Sequence, residues 1–231
     1  MTVKRERQIT IDGPAASGKS TIARRVARRM NGIYINTGDM YRTVTWVALN
    51  AGIDVARKPE RVAALLDTIE IEYTVTDEGV PQLLLNGQPV KQSEIRAPKV
   101  AAAVSYVAKI PRVRQWLVKR QRHTRSLGTI VMEGRDIGTV VFPDADYKFF
   151  LTASPEVRAR RRLMQKGETL AGATVASVAA EIAERDRIDS SRSIAPLRPA
   201  PDAVIVDSSD MTPEEVTEEI VSRIHNAEHP A

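Results

Sequence analysis

Apolar and polar residues alternate along this chain in two rhythms. Ile22, Val26 and Met30 recur every four residues, which puts them on one face of a helix predicted over 19–30. Val216, Ile220 and Ile224 repeat that spacing behind Thr212-Pro213-Glu214-Glu215, a capping box that starts a final helix. Short apolar runs of the fully buried kind fall at 8–12, 33–35, 129–133, 147–151 and 203–207. Helices are predicted between them. One covers 40–50 and stops at Gly52, one opens at Pro111, and a longer one starts near 174. Another opens at Ser154-Pro155-Glu156, with a capping serine, a first-turn proline and an early acid. Five strands interleaved with helices predict an α/β fold, a five-stranded, mostly parallel sheet core flanked by helices.

From residue 59 the pattern changes. A short helix over 59–67 leads into Ile69-Glu70-Ile71-Glu72-Tyr73-Thr74-Val75-Thr76, which alternates throughout, as a half-buried strand does. Asp77-Glu78-Gly79 turns the chain into a strand over 82–85, and Asn86-Gly87 is a hairpin signal before Gln88-Pro89-Val90. An antiparallel meander therefore sits inside an α/β chain. We read 60–109 as an inserted subdomain, closed by a helix over 93–109, within a single domain spanning 1–231.

Between the first strand and the first helix lies Gly13-Pro14-Ala15-Ala16-Ser17-Gly18-Lys19-Ser20, which fits the G-x-x-x-x-G-K-[ST] template of a phosphate-binding loop. The bland alternative is a chance glycine turn before an ordinary helix. Strand, loop and helix in this order favour the phosphate cradle, because glycines let backbone N–H groups close on an anion at a helix N-terminus. Gly13, Pro14, Ala15, Ala16, Ser17, Gly18, Lys19, Ser20 and the following Thr21 are thus expected to bind ATP. Lys19 would reach the β- and γ-phosphates, and the Ser20 hydroxyl would hold Mg²⁺.

Composition narrows the function. The 231 residues are 42% hydrophobic and 27% charged, ordinary for a globular protein, and contain no cysteine, which removes disulfides, thiolate metal sites and cysteine nucleophiles. No apolar run approaches the ~20 residues of a membrane span, and no apolar signal core follows the charged N-terminus. A cytoplasmic protein without membrane attachment is the expectation. The net charge of +5 admits nucleic-acid binding, but aromatic residues are only 4%, too few for stacking platforms. Small phosphates are the better partners.

The remaining basic groups suit that reading. Arg24, Arg25, Arg28 and Arg29 read as a solvated helix face. Arg185, Asp189 and Arg192 stand at i, i+4 and i+7 near the end of the long helix, so one helical face would carry all three. Phosphoryl transfer requires concentrated positive charge more than covalent help, and arginine grips phosphate oxygens in pairs. A hydroxyl acceptor usually calls for a carboxylate base, whereas a monophosphate acceptor is already an anion. The arginine-rich, base-poor inventory fits the monophosphate. His123 stands alone, and His225 and His229 read as surface residues.

With these motifs in place the chain resembles the bacterial-type cytidylate kinases, members of the nucleoside monophosphate kinase family. The resemblance rests on Ile9 to Pro14 with the phosphate loop, Thr37-Gly38 with Tyr41-Arg42, and Pro111-Arg112-Val113-Arg114. It rests above all on Gly134-Arg135-Asp136-Ile137-Gly138-Thr139-Val140-Val141-Phe142-Pro143-Asp144, and on Arg185, Asp189 and Arg192 before Ala195-Pro196-Leu197. It covers nearly the whole chain, and the meander is similar to the enlarged insert of that group. The resemblance implies a P-loop kinase that transfers the γ-phosphate of ATP to CMP or dCMP with Mg²⁺, as a monomer. It further implies that Thr37, Arg114 and Asp136 read the cytosine, near Tyr41. Ser105, Arg185 and Asp189 would hold the ribose, and Arg42, Arg135 and Arg192 the phosphate. Lys19, Arg135, Arg192 and Arg158 would be catalytic, Arg158 belonging to an arginine-bearing lid over 155–172 that closes on ATP. Thr37 stands where many relatives have serine. The competing readings are a kinase for UMP or a hydroxylated metabolite, and a nucleic-acid-stimulated NTPase.

Overall fold

The computed structural model describes residues 6–165, 169 and 172–228. Its centre is a five-stranded parallel sheet in the order β2-β6-β1-β7-β8. The strands are β1 (Gln8–Asp12), β2 (Ile33–Asn36), β6 (Ile130–Gly134), β7 (Tyr147–Thr152) and β8 (Val204–Asp207). In register, Gln8 faces Ile130 and Asp12 faces Gly134, so the loops after β1 and β6 leave the sheet side by side. That carboxyl end is where open α/β sheets place ligands.

Two helices cover one face: α1 (Lys19–Arg29) and α9 (Pro213–Glu228). The apolar stripe of α1 does what its spacing predicts. Ile22, Val26 and Met30 pack with Ile9, Val131, Phe149 and Leu151 of the sheet and with Val216, Ile220 and Ile224 of α9. The α1 arginines lie on the outer face the sequence suggested, with Arg24, Arg28 and Arg29 exposed. Arg25 and Arg29 pair with Glu214 and Glu218 of α9 at 2.5 and 2.7 Å. The Thr212–Glu215 capping box forms as predicted.

On the other face, Ile35, Ile130 and Met132 pack against Ile137, Val141 and Phe142. Ile137 and Val141 bound one π-helical turn, Ile137–Val141, which Phe142 directly follows. The Asp12 carboxylate at the end of β1 accepts from the Ile137 and Gly138 amides at 2.9 and 2.7 Å, which fixes that turn against the phosphate loop.

Beyond α2 (Thr37–Asn50) and α3 (Pro59–Leu65) comes the meander: β3 (Ile71–Val75), β4 (Pro81–Leu85) and β5 (Gln88–Pro89), antiparallel throughout. The turn at Asn86-Gly87 has positive φ at both residues, 50° and 75°, as its hairpin signal requires. The expected helix over 93–109 is two helices, α4 (Gln92–Ile95) and α5 (Pro98–Val107). Pro98 lacks the amide that would continue the first and restricts Ala97, so the chain breaks and restarts there. Then α6 (Pro111–His123) and a 3-10 turn (Thr124–Leu127) lead back to the sheet. The meander shares its core with the main body: Ile71 and Leu83 pack in one cluster with Met40 and Val44 of α2 and Val113 and Leu117 of α6.

After β7 come α7 (Pro155–Leu163) and α8 (Val175–Ser190). Part of the expected lid, residues 166–168, 170 and 171, lies outside the described residues, as does His229. Helix α2 begins at Thr37 rather than at Met40, because Asn36 caps it by accepting from the Asp39 amide. Helix α8 ends at Ser190, so Arg192 lies past its end and not on the shared helical face. Among the described residues, no helix is long and apolar enough to cross a membrane.

Candidate active site

The phosphate loop joins β1 to α1 and depends on Gly13, where a Cβ would come 2.1 Å from the Leu151 carbonyl oxygen. Gly18, at φ 94°, turns the chain into α1. Lys19 is buried at the helix start, its Nζ donating to the Pro14 carbonyl at 2.5 Å and to the Ser17 hydroxyl at 3.3 Å. Burial pulls the Lys19 ammonium well below its ordinary pKa, Arg135 adds to this, and Glu133 opposes it.

In front of this loop an open cavity is lined by residues 15–21 together with Asp39, Arg42, Arg96, Arg162 and Gln165. A second cavity opens beside it, with Ser105 of α5 and Arg114 of α6 in its wall. It is lined by Thr37, Tyr41, Ser105, Arg114, Asp136, Asp189 and Arg192. Asn36, Gly38, Glu133, Arg135 and Arg185 line both, so the two cavities meet at a wall carrying two guanidiniums.

The second cavity gathers nine of the ten residues the sequence proposed for the acceptor: all except Arg42, which faces the loop cavity. They arrive from separate elements. Thr37 and Tyr41 come from α2, Ser105 from α5, Arg114 from α6, Arg185 and Asp189 from α8, and Arg135 and Asp136 from the loop after β6. Thr37 donates its hydroxyl hydrogen to the Glu133 carbonyl at 2.8 Å. Gly134 permits that approach, since a Cβ there would come 2.7 Å from the Thr37 Oγ1. Arg114 and Asp136 form a buried ion pair, with the Arg114 guanidinium also 5.8 Å from the Tyr41 ring. Asp189 takes Arg135 at 3.1 Å and Arg192 on its two oxygens.

The cleft holds more positive charge than its carboxylates balance. Burial lowers the Arg185 guanidinium to about 9, with Arg135 adding to the effect. Arg42 falls to about 10, by burial and then Arg96, and Arg162 to about 10, by burial and then Arg42. Burial also raises the Asp189 carboxyl, but Arg135, Arg192 and Arg185 outweigh it and hold the group below its usual range. Asp136 moves up, because burial exceeds the pull of Arg114 and Arg192. Cations crowded and desolvated in this way gain most from a multiply charged anion. Arg185 makes this concrete: it forms no hydrogen bond or ion pair among the described residues, and its Nε is buried without a partner.

Arg158, expected over ATP, is turned to the back of the phosphate loop and lines neither cavity. Its guanidinium donates to the carbonyls of Ala153 and Ala15, both at 3.1 Å, and pairs with Asp186, which also accepts from the Ala15 amide at 3.0 Å. The pair thus straps α7 and α8 to the loop. Arg162, one turn further along α7, faces the phosphate cavity instead. Beside the loop, Arg161 donates to the Ser208 hydroxyl and carbonyl at 2.9 and 2.6 Å, and edges a groove with Thr21, Met211 and Pro213.

Sequence reasoning missed Glu133, Asp39, Arg96 and Asp186. Glu133 had a signal, since it directly precedes the Gly134-Arg135-Asp136 run at the end of a buried strand. Asp39 and Arg96 are 57 positions apart and meet only in the fold, at 2.8 Å.

Comparison with known proteins gives one consistent result. Residues 9–226 match the model of the cytidylate kinase family. A cytidylate kinase of Pelotomaculum thermopropionicum is 47% identical over 218 residues, covering 94% of this chain and 95% of that protein. One from Geobacillus kaustophilus is 46% identical over 223 residues, covering 96% and 98%. Among solved structures, an uncharacterised protein from Eubacterium ventriosum shares the fold at a TM-score of 0.53 and 10% identity, over 95% of this chain and 99% of that one.

Proposed function

The chain belongs to the cytidylate kinase family, and from that premise we propose how its two cavities divide the work. The protein is a nucleoside monophosphate kinase that transfers the γ-phosphate of ATP to CMP or dCMP, giving ADP and CDP or dCDP. In our reading ATP lays its phosphates in the loop cavity, with its nucleoside in the groove edged by Arg161, Met211 and Pro213. The acceptor occupies the second cavity. The observation that carries this assignment is the shared wall, where Arg135 and the unpartnered Arg185 stand between the two.

Within it, Asp136 and Thr37 accept from the cytosine amino group, and Arg114 donates to its ring acceptors. Ser105, Arg185 and Asp189 hold the sugar, with Tyr41 packing alongside. Arg42, Arg135 and Arg192 take the acceptor phosphate. That phosphate is itself the nucleophile, so no carboxylate base is required. Lys19, Arg135 and Arg192 oppose the negative charge spread over the transferring group, with Arg162 in place of Arg158 as the α7 contribution. The Ser20 hydroxyl and the buried Glu133 carboxylate are hard oxygen donors on the loop cavity and fit Mg²⁺, which would neutralise charge between the β- and γ-phosphates. Segment 60–109 serves as the acceptor-binding insert and segment 155–172 as the lid that excludes water. A cytoplasmic monomer is part of the same reading.

The test is ADP formation by the purified protein with ATP and Mg²⁺, offering CMP, dCMP, UMP, AMP and GMP separately. Turnover with CMP and dCMP far above the rest is expected. Equal turnover with UMP would remove Asp136 as the discriminator, and silence in every reaction would overturn the reading.

A further inference from the structure

Asn36 ends β2, the edge strand of the main sheet; the Ile33 amide donates inward to the Thr129 carbonyl at 2.8 Å, so by alternation the backbone N–H and C=O of Asn36 face away from the neighbouring strand. Outward-facing backbone groups on an edge strand have no neighbouring strand to bond and normally turn to water. Here a single side chain from the meander satisfies both groups. The Tyr73 hydroxyl, on β3, donates to the Asn36 carbonyl at 3.0 Å and accepts from the Asn36 amide at 3.3 Å. Only a neutral phenol can do both, and burial holds Tyr73 well above its ordinary pKa, so it stays neutral. Its ring is wedged between the core shared by meander and α2 and the core beneath the main sheet.

The residue held in this way is in the cleft. Asn36 lines both cavities and caps α2, and Thr37 and Gly38 follow it directly. The meander's flank grips the same turn a second time, because Asp39 accepts from Arg96 at 2.8 Å and from Gln92 at 3.2 Å, both contributed by α4 and the residue after it. Nothing comparable ties the meander to the phosphate loop among the described residues.

We propose that Tyr73 is a positioning residue for the acceptor: its hydroxyl latches the insert to the Asn36–Thr37 junction and so sets the geometry of the acceptor cavity. This rests on the assignment of the second cavity to CMP. The proposal separates two roles for the insert. Its core supports the fold, and one hydroxyl transmits its position to the site.

The experiment compares Tyr73→Phe with Ile71→Val, which trims a fully buried side chain on the same strand without touching Asn36. Leaving one buried backbone pair unsatisfied predicts a rise in KM for CMP of about 5- to 100-fold in Tyr73→Phe, with KM for ATP changed by less than about twofold. Ile71→Val should lower the thermal midpoint and leave both KM values unchanged. Hydrogen exchange at the Asn36 amide, read without substrate, should accelerate in Tyr73→Phe alone. A Tyr73→Phe protein that loses stability but keeps its KM for CMP overturns the proposal, and so does unchanged exchange at Asn36. A wild-type protein inactive on CMP would sink the functional reading instead, while exchange at Asn36 would still decide the latch.

Discussion

Replacing Asp136 by asparagine tests base recognition most directly. Arg114 and Asp136 are 3% and 5% exposed, so their charges interact out of reach of solvent. Removing one partner of a buried pair costs about 3–5 kcal/mol, and asparagine keeps one accepting oxygen for Arg114, which places Asp136→Asn near the low end, about 3 kcal/mol. Arg114 retains the Ala108 carbonyl at 3.2 Å, so the protein should fold, with a lower urea midpoint. Catalysis should change in a more specific way. A carboxylate only accepts, matching the amino group of cytosine, whereas the amide can also donate, matching the oxygen that uracil carries there. A lost two-point base contact is worth about 1–3 kcal/mol, or roughly 5- to 150-fold in kcat/KM for CMP. The activity on UMP should fall far less or rise, narrowing the CMP-to-UMP ratio by about tenfold or more. Arg114 still meets a donor at the uracil ring nitrogen, so UMP should not overtake CMP. Initial rates of ADP formation, with each acceptor varied at saturating ATP, measure this. Equal losses for CMP and UMP, or a kcat/KM for CMP within about twofold of wild type, would refute the assignment of Asp136 to the base.

Two further outcomes separate chemistry from architecture. Arg162→Ala should lower kcat, whereas Arg158→Met strands Asp186 behind the loop and should cost about 3 kcal/mol of stability. In a double-mutant cycle with Asp186→Asn the Arg158 effect should be strongly non-additive, and simple additivity would contradict the strap. The third outcome is a pH dependence. Burial is the main force pushing the Asp12 carboxyl up to about 7, against the amides of Gly138 and Ile137. The folded state therefore holds a proton that the unfolded chain releases near pH 4, and this contribution to stability is lost as pH rises through about 7. Relative to Asp12→Asn, wild-type stability from urea unfolding should fall between pH 5 and 7.5, with a slope of at most about 1.4 kcal/mol per pH unit. Parallel curves for the two proteins would contradict the raised value.

The sequence alone determined whatever is local. The phosphate loop is eight contiguous residues whose backbone geometry follows from their own glycines, and the period of Ile22, Val26 and Met30 names the buried face of α1 without reference to anything else. The switch to period two at residue 69 likewise marks the meander, and Asn86-Gly87 its tight turn. The residues proposed for the acceptor were legible only through a resemblance, because their meaning depends on meeting. Thr37, Ser105, Arg114, Asp136 and Asp189 lie on five separate elements, and no spacing rule joins them. Three matters were settled by tertiary packing. Helix α8 stops before Arg192, yet the side chain still reaches Asp189. Of two arginines four positions apart on α7, Arg158 turns inward to Asp186, which α8 brings near, and Arg162 lines the cleft. Tyr73 reads as one more alternating strand residue until the edge of β2 arrives beside it. Local signals state what each segment is, whereas long-range contacts, whose partners stand tens of residues apart, decide what each charged or hydroxylated side chain is for.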